Sequence, residues 1–173
     1  TGVQTCALPI CDNIMLGYMD MPEETAAVID TEGWLHTGDM GYIDENGYAY
    51  ITGRKKNVII TKNGKNVYPE ELEYQLSLVP FIEESFVFEG DSEKDDTTIV
   101  AAIKLDQEAI EEILGAEYTV EQAKELVWKE VDKINADAPF YRKIKKVIIR
   151  KSEFIKNSSK KLIRFAEENK KED

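Results

Sequence analysis

Apolar residues in this chain recur in short groups that switch between helical and strand spacing. Residues 22–29, opening Pro22-Glu-Glu, predict a short helix with proline and acids in its first turn. Residues 42–43 and 48–52 flank Asp44-Glu-Asn-Gly47, whose Asn-Gly pair marks a hairpin turn. A second hairpin is expected from residues 57–61, a turn at 62–65, and residues 66–68. Pro69 then opens a helix in which Leu72, Leu76 and Val79 fall at i, i+4 and i+7, one buried face. Residues 85–88 and 97–105 read as strands around an acidic, solvated loop at 91–96. Asp106 is placed to cap a short helix that stops at Gly115. Thr119-Val-Glu-Gln122 has capping-box spacing, and the helix it opens aligns Val120, Ala123, Val127, Val131 and Ile134. Residues 147–149 give a last short strand. The order predicts a compact α+β domain over residues 56–164, built of a β-hairpin and a short antiparallel sheet with flanking helices. Residues 11–55 have too few strands to bury a core and read as the end of a different domain. Residues 165–173 read as a charged tail.

Composition narrows the function classes. The chain has 173 residues, of which 42% are apolar, enough for a core. Its longest apolar run, from Ile99 to Ile103, is far short of the ~20 residues of a spanning helix. No basic start followed by an apolar stretch marks a secretory signal. The net charge of −12 is uneven. Residues 141–164 carry ten Lys or Arg against the single acid Glu153, which leaves residues 1–140 at −19. An acidic body of that size argues against nucleic acid as a partner, although the basic stretch suits one small anionic ligand. Two cysteines, Cys6 and Cys11, and the single His36 make neither a zinc site nor a disulfide framework, so no metal ligands are expected. A cytoplasmic protein is the expectation.

Residues 1–10 resemble the conceptual translation of a sequencing-library adapter, and the frame fits. A T at the adapter's end turns a glycine codon into that of Cys11, where the following residues lead us to expect Gly. These ten residues are therefore left out of the fold expectation. Both cysteines then become artefacts, and the chain is expected to be a fragment of a longer parent.

Four clusters carry candidate chemistry. In chain order they are Gly17-Tyr-Met-Asp-Met-Pro-Glu-Glu-Thr25 and Gly33-Trp-Leu-His-Thr-Gly-Asp39, then Ile51-Thr-Gly-Arg-Lys-Lys-Asn-Val-Ile-Ile60 continuing through Val67-Tyr-Pro-Glu-Glu-Leu-Glu73, and last Lys156-Asn-Ser-Ser-Lys-Lys-Leu-Ile-Arg164. Their wording and order resemble the C-terminal part of the adenylate-forming (AMP-dependent synthetase/ligase) superfamily, over nearly all of residues 11–164. The wording is closest to bacterial long-chain fatty acyl-CoA synthetases. The resemblance implies a ligase that joins a carboxylate to AMP with loss of pyrophosphate, then transfers the acyl group to CoA. A small C-terminal domain rotates on a hinge between the two steps.

The resemblance also assigns roles. Asp39 would accept hydrogen bonds from the ribose hydroxyls of ATP, its two oxygens matching two neighbouring hydroxyls. Arg54 would give a second nucleotide contact, a permanent charge suited to a polyanion. Lys56 matches the hinge position, where a solvated charge suits changing backbone dihedrals. Gly64 corresponds to the loop that approaches the CoA pantetheine channel, with Lys62 a weaker CoA-channel candidate. Read from residues alone, Gly64 equally suits an ordinary Asn-Gly turn. Lys161, aligned on Arg164, falls on the catalytic lysine of adenylation, where an ammonium offsets repulsion between carboxylate and triphosphate. The familiar pattern has Thr and Gly where this chain has Asn157 and Lys160, which leaves Lys160 as a decoy beside Lys161. His36, Trp34 and Trp128 are given structural standing only.

The phosphate loop and acyl pocket that the superfamily places in its large domain are not found in these residues. Partners implied are therefore ATP, Mg2+ bound mainly by that large domain, CoA, a fatty acid and the missing N-terminal domain. Two alternatives remain. One is an adenylation domain that loads a carrier protein. The other is a noncatalytic module docking segment 141–164 on an anionic ligand or lipid surface, and a peripheral membrane contact is compatible with either.

Overall fold

The computed structural model describes residues 4–9, 12–91 and 97–171, with backbone alone for 4–9. Beyond Asp91, the expected acidic loop lies outside these described residues, as do residues 1–3, 10, 11, 172 and 173. The chain divides after Val58 into two compact units.

The first unit contains strand β1 (Gln4–Pro9), helix α1 (Pro22–Val28) and strands β2 (Trp34–Ile43) and β3 (Ala49–Arg54), in an antiparallel sheet of order β1-β2-β3. The expected hairpin joins β2 to β3. Asp44 Oδ1 accepts the Asn46 and Tyr48 amides at 2.9 Å, and Gly47 takes φ +87°. Tyr42 and Tyr50 stack across the strands with ring centroids 5.1 Å apart. β2 starts eight residues earlier than the sequence pattern suggested, because its first half is read as motif rather than alternation. Residues 4–9, left out of the fold expectation, form an edge strand on β2. Strand pairing uses backbone groups, so an extended segment of almost any sequence satisfies a free sheet edge. The pairing therefore bears on the edge of β2, not on where the segment comes from. No apolar side chain among the described residues of this unit is buried.

The second unit carries the core. Strands β4 (Ile59–Ile60) and β5 (Asn66–Val67) form the expected short hairpin. Then follow α2 (Pro69–Ser77), β6 (Ile82–Gly90), β7 (Thr98–Leu105), α3 (Gln107–Leu114), α4 (Val120–Ala136) and β8 (Ile144–Arg150). The caps act as expected. Asp106 accepts the Ala109 amide at 3.0 Å, and α4 has the reciprocal capping box between Thr119 and Gln122. The expected antiparallel pairing holds for β6 and β7, whereas β8 joins β7 in parallel. The reason is the connection: α3 and α4 lie between β7 and β8, and a helical crossover returns the chain in the same direction where a tight hairpin would reverse it.

The three-stranded sheet packs on both faces. On one, Val87, Ile99, Ala101, Ile103 and Val147 join Leu72 and Leu76 of α2, Ile110 of α3, and Ala123, Val127 and Val131 of α4. A fully buried leucine such as Leu72 or Leu76 contributes about 1.5–3 kcal/mol relative to exposure. Trp128 is half-buried against this core, while Trp34 on β2 is largely exposed. On the other face Phe86, Val100, Ala102 and Ile148 pack with Phe154, and Phe88 and Leu162 close over them. This smaller cluster draws residues 151–171 onto the sheet.

An ion-pair junction fixes that layer. Arg164 Nη2 lies 2.5 Å from Glu73 Oε2 and 3.6 Å from Glu70 of α2, with the guanidinium over the Phe86 ring. Glu73 Oε1 accepts the Val87 amide of β6 at 2.8 Å. Burial pushes the Glu73 carboxyl up, and Arg164 pulls it back down. Arg164→Met should therefore destabilise the unit by about 3 kcal/mol, the cost of stranding one partner of a mostly buried pair. Without its cation the Glu73 pKa climbs further above its unfolded value, so the folded state holds a proton that the unfolded chain releases. That contribution is favourable at low pH and is lost as pH rises through the folded pKa. The deficit should accordingly shrink from about pH 7 to about pH 5. Urea denaturation followed by circular dichroism at the two pH values checks this, and a deficit that widens at the lower pH would refute it.

Candidate functional site

Asp39 and Arg54 are brought together. They are cross-strand partners in the β2–β3 register, and Arg54 Nε lies 2.7 Å from Asp39 Oδ1. Arg54 Nη1 also donates to the Thr37 carbonyl at 3.2 Å, and the Thr37 hydroxyl accepts the Asp39 amide. The Asp39 side chain is 24% exposed and that of Arg54 is 59% exposed, so the pair keeps an open side. A carboxylate and a guanidinium held side by side can receive a vicinal diol and an anion together. His36 pairs instead with Asp30, Nε2 to Oδ2 at 2.7 Å. The amide of Trp34 and this histidine hold the Asp30 carboxyl below its ordinary range.

Lys56 lies in a single 3-10 turn, Lys55–Asn57, just after β3, with its side chain exposed. The division between the two units falls two residues further on. Lys62 and Gly64 sit in the β4–β5 turn. Gly64 takes φ +69° and donates its amide to the Thr61 carbonyl at 2.8 Å, while the Lys62 amide donates to Thr97 Oγ1 at 3.2 Å. Among the described residues, a Cβ built at Gly64 meets nothing within 4 Å. The glycine therefore answers the left-handed turn.

Lys161 stands on a second hairpin, closed by the antiparallel bridge between Lys156 and Leu162. The Asn157 amide donates to the Lys161 carbonyl at 2.8 Å. Asn157 Oδ1 accepts the Ser159 amide at 3.0 Å and the Lys161 amide at 2.9 Å. Asn157 thus shapes the tip with a side-chain oxygen, which explains how it stands where the familiar pattern has Thr. Lys160 takes φ +58°, a left-handed conformation that suits glycine. The structure therefore puts the glycine-like backbone where the motif alignment puts Gly, and Lys161 one residue further on.

The two lysines differ in surroundings. A groove of about 370 Å³ beside the hairpin is lined by Glu70, Glu73, Glu84, Lys156 and Lys160 among others, but not by Lys161. Lys156 pairs with Glu84 of β6, and that hydrogen bond raises the Lys156 pKa. The Lys161 side chain is exposed and forms no ion pair among the described residues.

Sequence reasoning missed the partners of this hairpin. Glu84 lies 72 residues before Lys156 and Glu73 lies 91 before Arg164, and no local spacing announces such pairs. Nor do the described residues hold a group of three His, Cys, Asp or Glu side chains fit for a metal ion.

The family model for the AMP-binding enzyme C-terminal domain matches residues 56–171. A 7a-methyl-1,5-dioxo-octahydro-1H-inden-4-yl propanoyl:CoA ligase from Rhodococcus jostii is 51% identical over 76 residues, covering 44% of this chain and 15% of the relative. A long-chain-fatty-acid–CoA ligase from Bacillus subtilis is 42% identical over 104 residues, covering 57% and 18%. Among solved structures, an o-succinylbenzoate CoA synthetase from Bacillus subtilis, in complex with its acyl-adenylate intermediate, superposes with a TM-score of 0.75 at 25% identity, covering 95% of this chain and 30% of that one. The chain thus spans less than a fifth of the length of these two curated relatives. With the family model matching residues 56–171, the chain belongs to the adenylate-forming AMP-binding enzymes and carries their C-terminal domain.

Proposed function

We propose that this chain is the C-terminal part of an AMP-forming acyl-CoA ligase acting on a long-chain fatty acid in the cytoplasm. In the first half-reaction a carboxylate oxygen attacks the α-phosphorus of ATP, forming acyl-AMP as pyrophosphate leaves. In the second, the CoA sulfur attacks the acyl carbonyl and AMP leaves. Lys161 serves the first step, its ammonium lying between carboxylate and α-phosphate and offsetting the charge that develops there. Asp39 and Arg54 hold the nucleotide, Lys56 is the hinge, and the turn at Gly64, with Lys62, faces the CoA channel in the second step.

The left-handed Lys160 is the observation that supports this reading, because a glycine-like backbone at 160 agrees with the motif alignment in which Lys161 is the catalytic lysine. The long-chain acid rests on the motif wording and on relatives named as fatty-acid ligases. CoA as acceptor, rather than a carrier protein, rests on the CoA ligases among the relatives.

Five outcomes follow for this reading. The 173-residue chain given ATP, Mg2+, palmitate and CoA should release no pyrophosphate, and steady turnover would show that it is a complete enzyme. In the full-length ligase, Lys161→Ala should slow acyl-AMP formation by about 10²–10³-fold while sparing conversion of supplied acyl-AMP to acyl-CoA. Gly64→Leu should do the reverse, blocking thioester formation and sparing adenylation. If both half-reactions fall together in each variant, the domain is destabilised rather than two-faced. Lys160→Ala should be nearly silent in both, and a loss equal to that of Lys161→Ala would move the catalytic position by one residue. Lys160→Gly should raise thermal stability by about 0.5–1 kcal/mol, since it relieves a left-handed non-glycine residue. A clear loss of stability would contradict that backbone assignment.

A further inference from the structure

Residues 165–171 read in the sequence as a charged tail, yet one of them is as buried as the core. Asn169 is 0% exposed, and its carboxamide reaches both arms of the hairpin that carries Lys161. Its Oδ1 accepts the Ile155 amide at 2.7 Å. Its Nδ2 donates to the Ile155 carbonyl at 3.2 Å and to the Ile163 carbonyl at 2.9 Å. The arms meet there as well, the Ile163 amide donating to the Ile155 carbonyl at 2.9 Å. Asn169 is itself held. The single 3-10 turn Glu167–Lys170 is pinned to the sheet by Arg150, the last residue of β8, which is 4% exposed. Arg150 Nη1 donates to the Glu168 carbonyl at 2.5 Å and to the Lys171 carbonyl at 2.8 Å, and Nη2 donates to Ser152 Oγ at 2.6 Å.

We infer that Asn169 is a positioning residue for Lys161, and that residues 165–171 are a strap that fixes the roots of the catalytic hairpin. The inference rests on the role given to Lys161 above. The chemistry requires an amide at this place. One planar group must accept from an N–H and donate to two carbonyls, which Asn does and Asp or Leu does not. A leucine would leave the Ile155 amide without its acceptor and take one of two donors from each of the Ile155 and Ile163 carbonyls, and an aspartate would set its charge against those two carbonyl oxygens. Lys161 is six residues beyond one anchored position and two before the other, so the strap limits how far the ammonium can wander from the reacting phosphate. A misplacement of about 1 Å costs a positioned group about 10² in rate. An exposed tail makes no such demand and tolerates truncation.

Two measurements test this. The first uses the 173-residue chain and needs no activity: amide hydrogen exchange in Asn169→Leu against the parent sequence. The Ile155, Asn157, Lys161 and Ile163 amides should exchange at least about tenfold faster, with the β7 amides unchanged. Equal acceleration across β7, or none in the hairpin, overturns the strap. If Asn169→Leu does not fold, Asn169→Asp, which keeps the acceptor for Ile155 and loses both donations, carries the same comparison. The second measurement uses the full-length ligase. Asn169→Leu should lower the kcat of acyl-AMP formation by about 10²-fold and leave thioester formation from supplied acyl-AMP within about twofold. In a Lys161→Ala background the same change should cost nothing further, because a positioning residue acts only through the group that it positions. Losses that multiply in the double variant, or an unchanged adenylation rate, overturn the positioning role. If Lys161→Ala alone leaves adenylation intact, the ligase reading falls, while the exchange experiment still decides whether the strap holds the hairpin.

Discussion

The Lys161 hairpin has a surface to rest on because β7 is buried on both faces. Alternate residues of that strand go to opposite layers: Ile99, Ala101 and Ile103 into the helical core, Val100 and Ala102 into the cluster around Phe86 and Phe154. A strand in a sheet with one wet face would show polar residues at every second position. β7 instead reads as the longest apolar run in the chain, the pattern of a strand covered on two sides. Its second face then needs a cover. The chain supplies one from its own C-terminal residues, with Phe154 and Leu162 on the apolar cluster and Arg164 over the Phe86 ring. The small Ala102 of β7 helps, because it leaves room for three phenylalanines, Phe86, Phe88 and Phe154, whose rings stack or meet edge-on. The placing of the Lys161 hairpin on this unit is thus a consequence of core packing.

Much of the fold was legible because its signals are local. The capping box at Thr119, the cap at Asp106, the Asn-Gly turns and the i, i+4 leucines of α2 each depend on residues within about one turn, and each has its expected place. What the sequence did not reveal is long-range. The parallel docking of β8 depends on a crossover through two helices. The junction of Glu73 with Arg164 spans 91 residues, and Asn169 lay in a segment whose composition, two lysines among four acids, masks the one residue that packs. A buried carboxamide has no periodicity to betray it. The candidate site divides in the same way. Asp39 and Arg54 were readable as motif residues, but not as an ion pair across two strands. Lys161 was readable by register, but not the hydrogen bonds that hold its hairpin.

The charge asymmetry takes a different meaning in the structure. Residues 141–164 look like a basic surface awaiting an anion, and the rest of the chain like an acidic one. Several of these cations are committed to the unit's own groups. Arg142 pairs with Glu71, Lys156 with Glu84, Arg164 with Glu73 and Glu70, and Arg150 with main-chain carbonyls of the strap. Part of the positive charge, these four of the ten cations, therefore acts inward, between elements distant in sequence. That weakens the case for a broad electrostatic docking surface, since a lipid headgroup would have to compete with carboxylates already within hydrogen-bond distance. It also bears on the two lysines beside the hairpin turn. A catalytic ammonium acts on a reacting anion only if its own domain does not claim it first. Lys161 stands beside the turn of a hairpin whose cations Lys156 and Arg164 are engaged at the roots, while it and the adjacent Lys160 form no ion pair among the described residues.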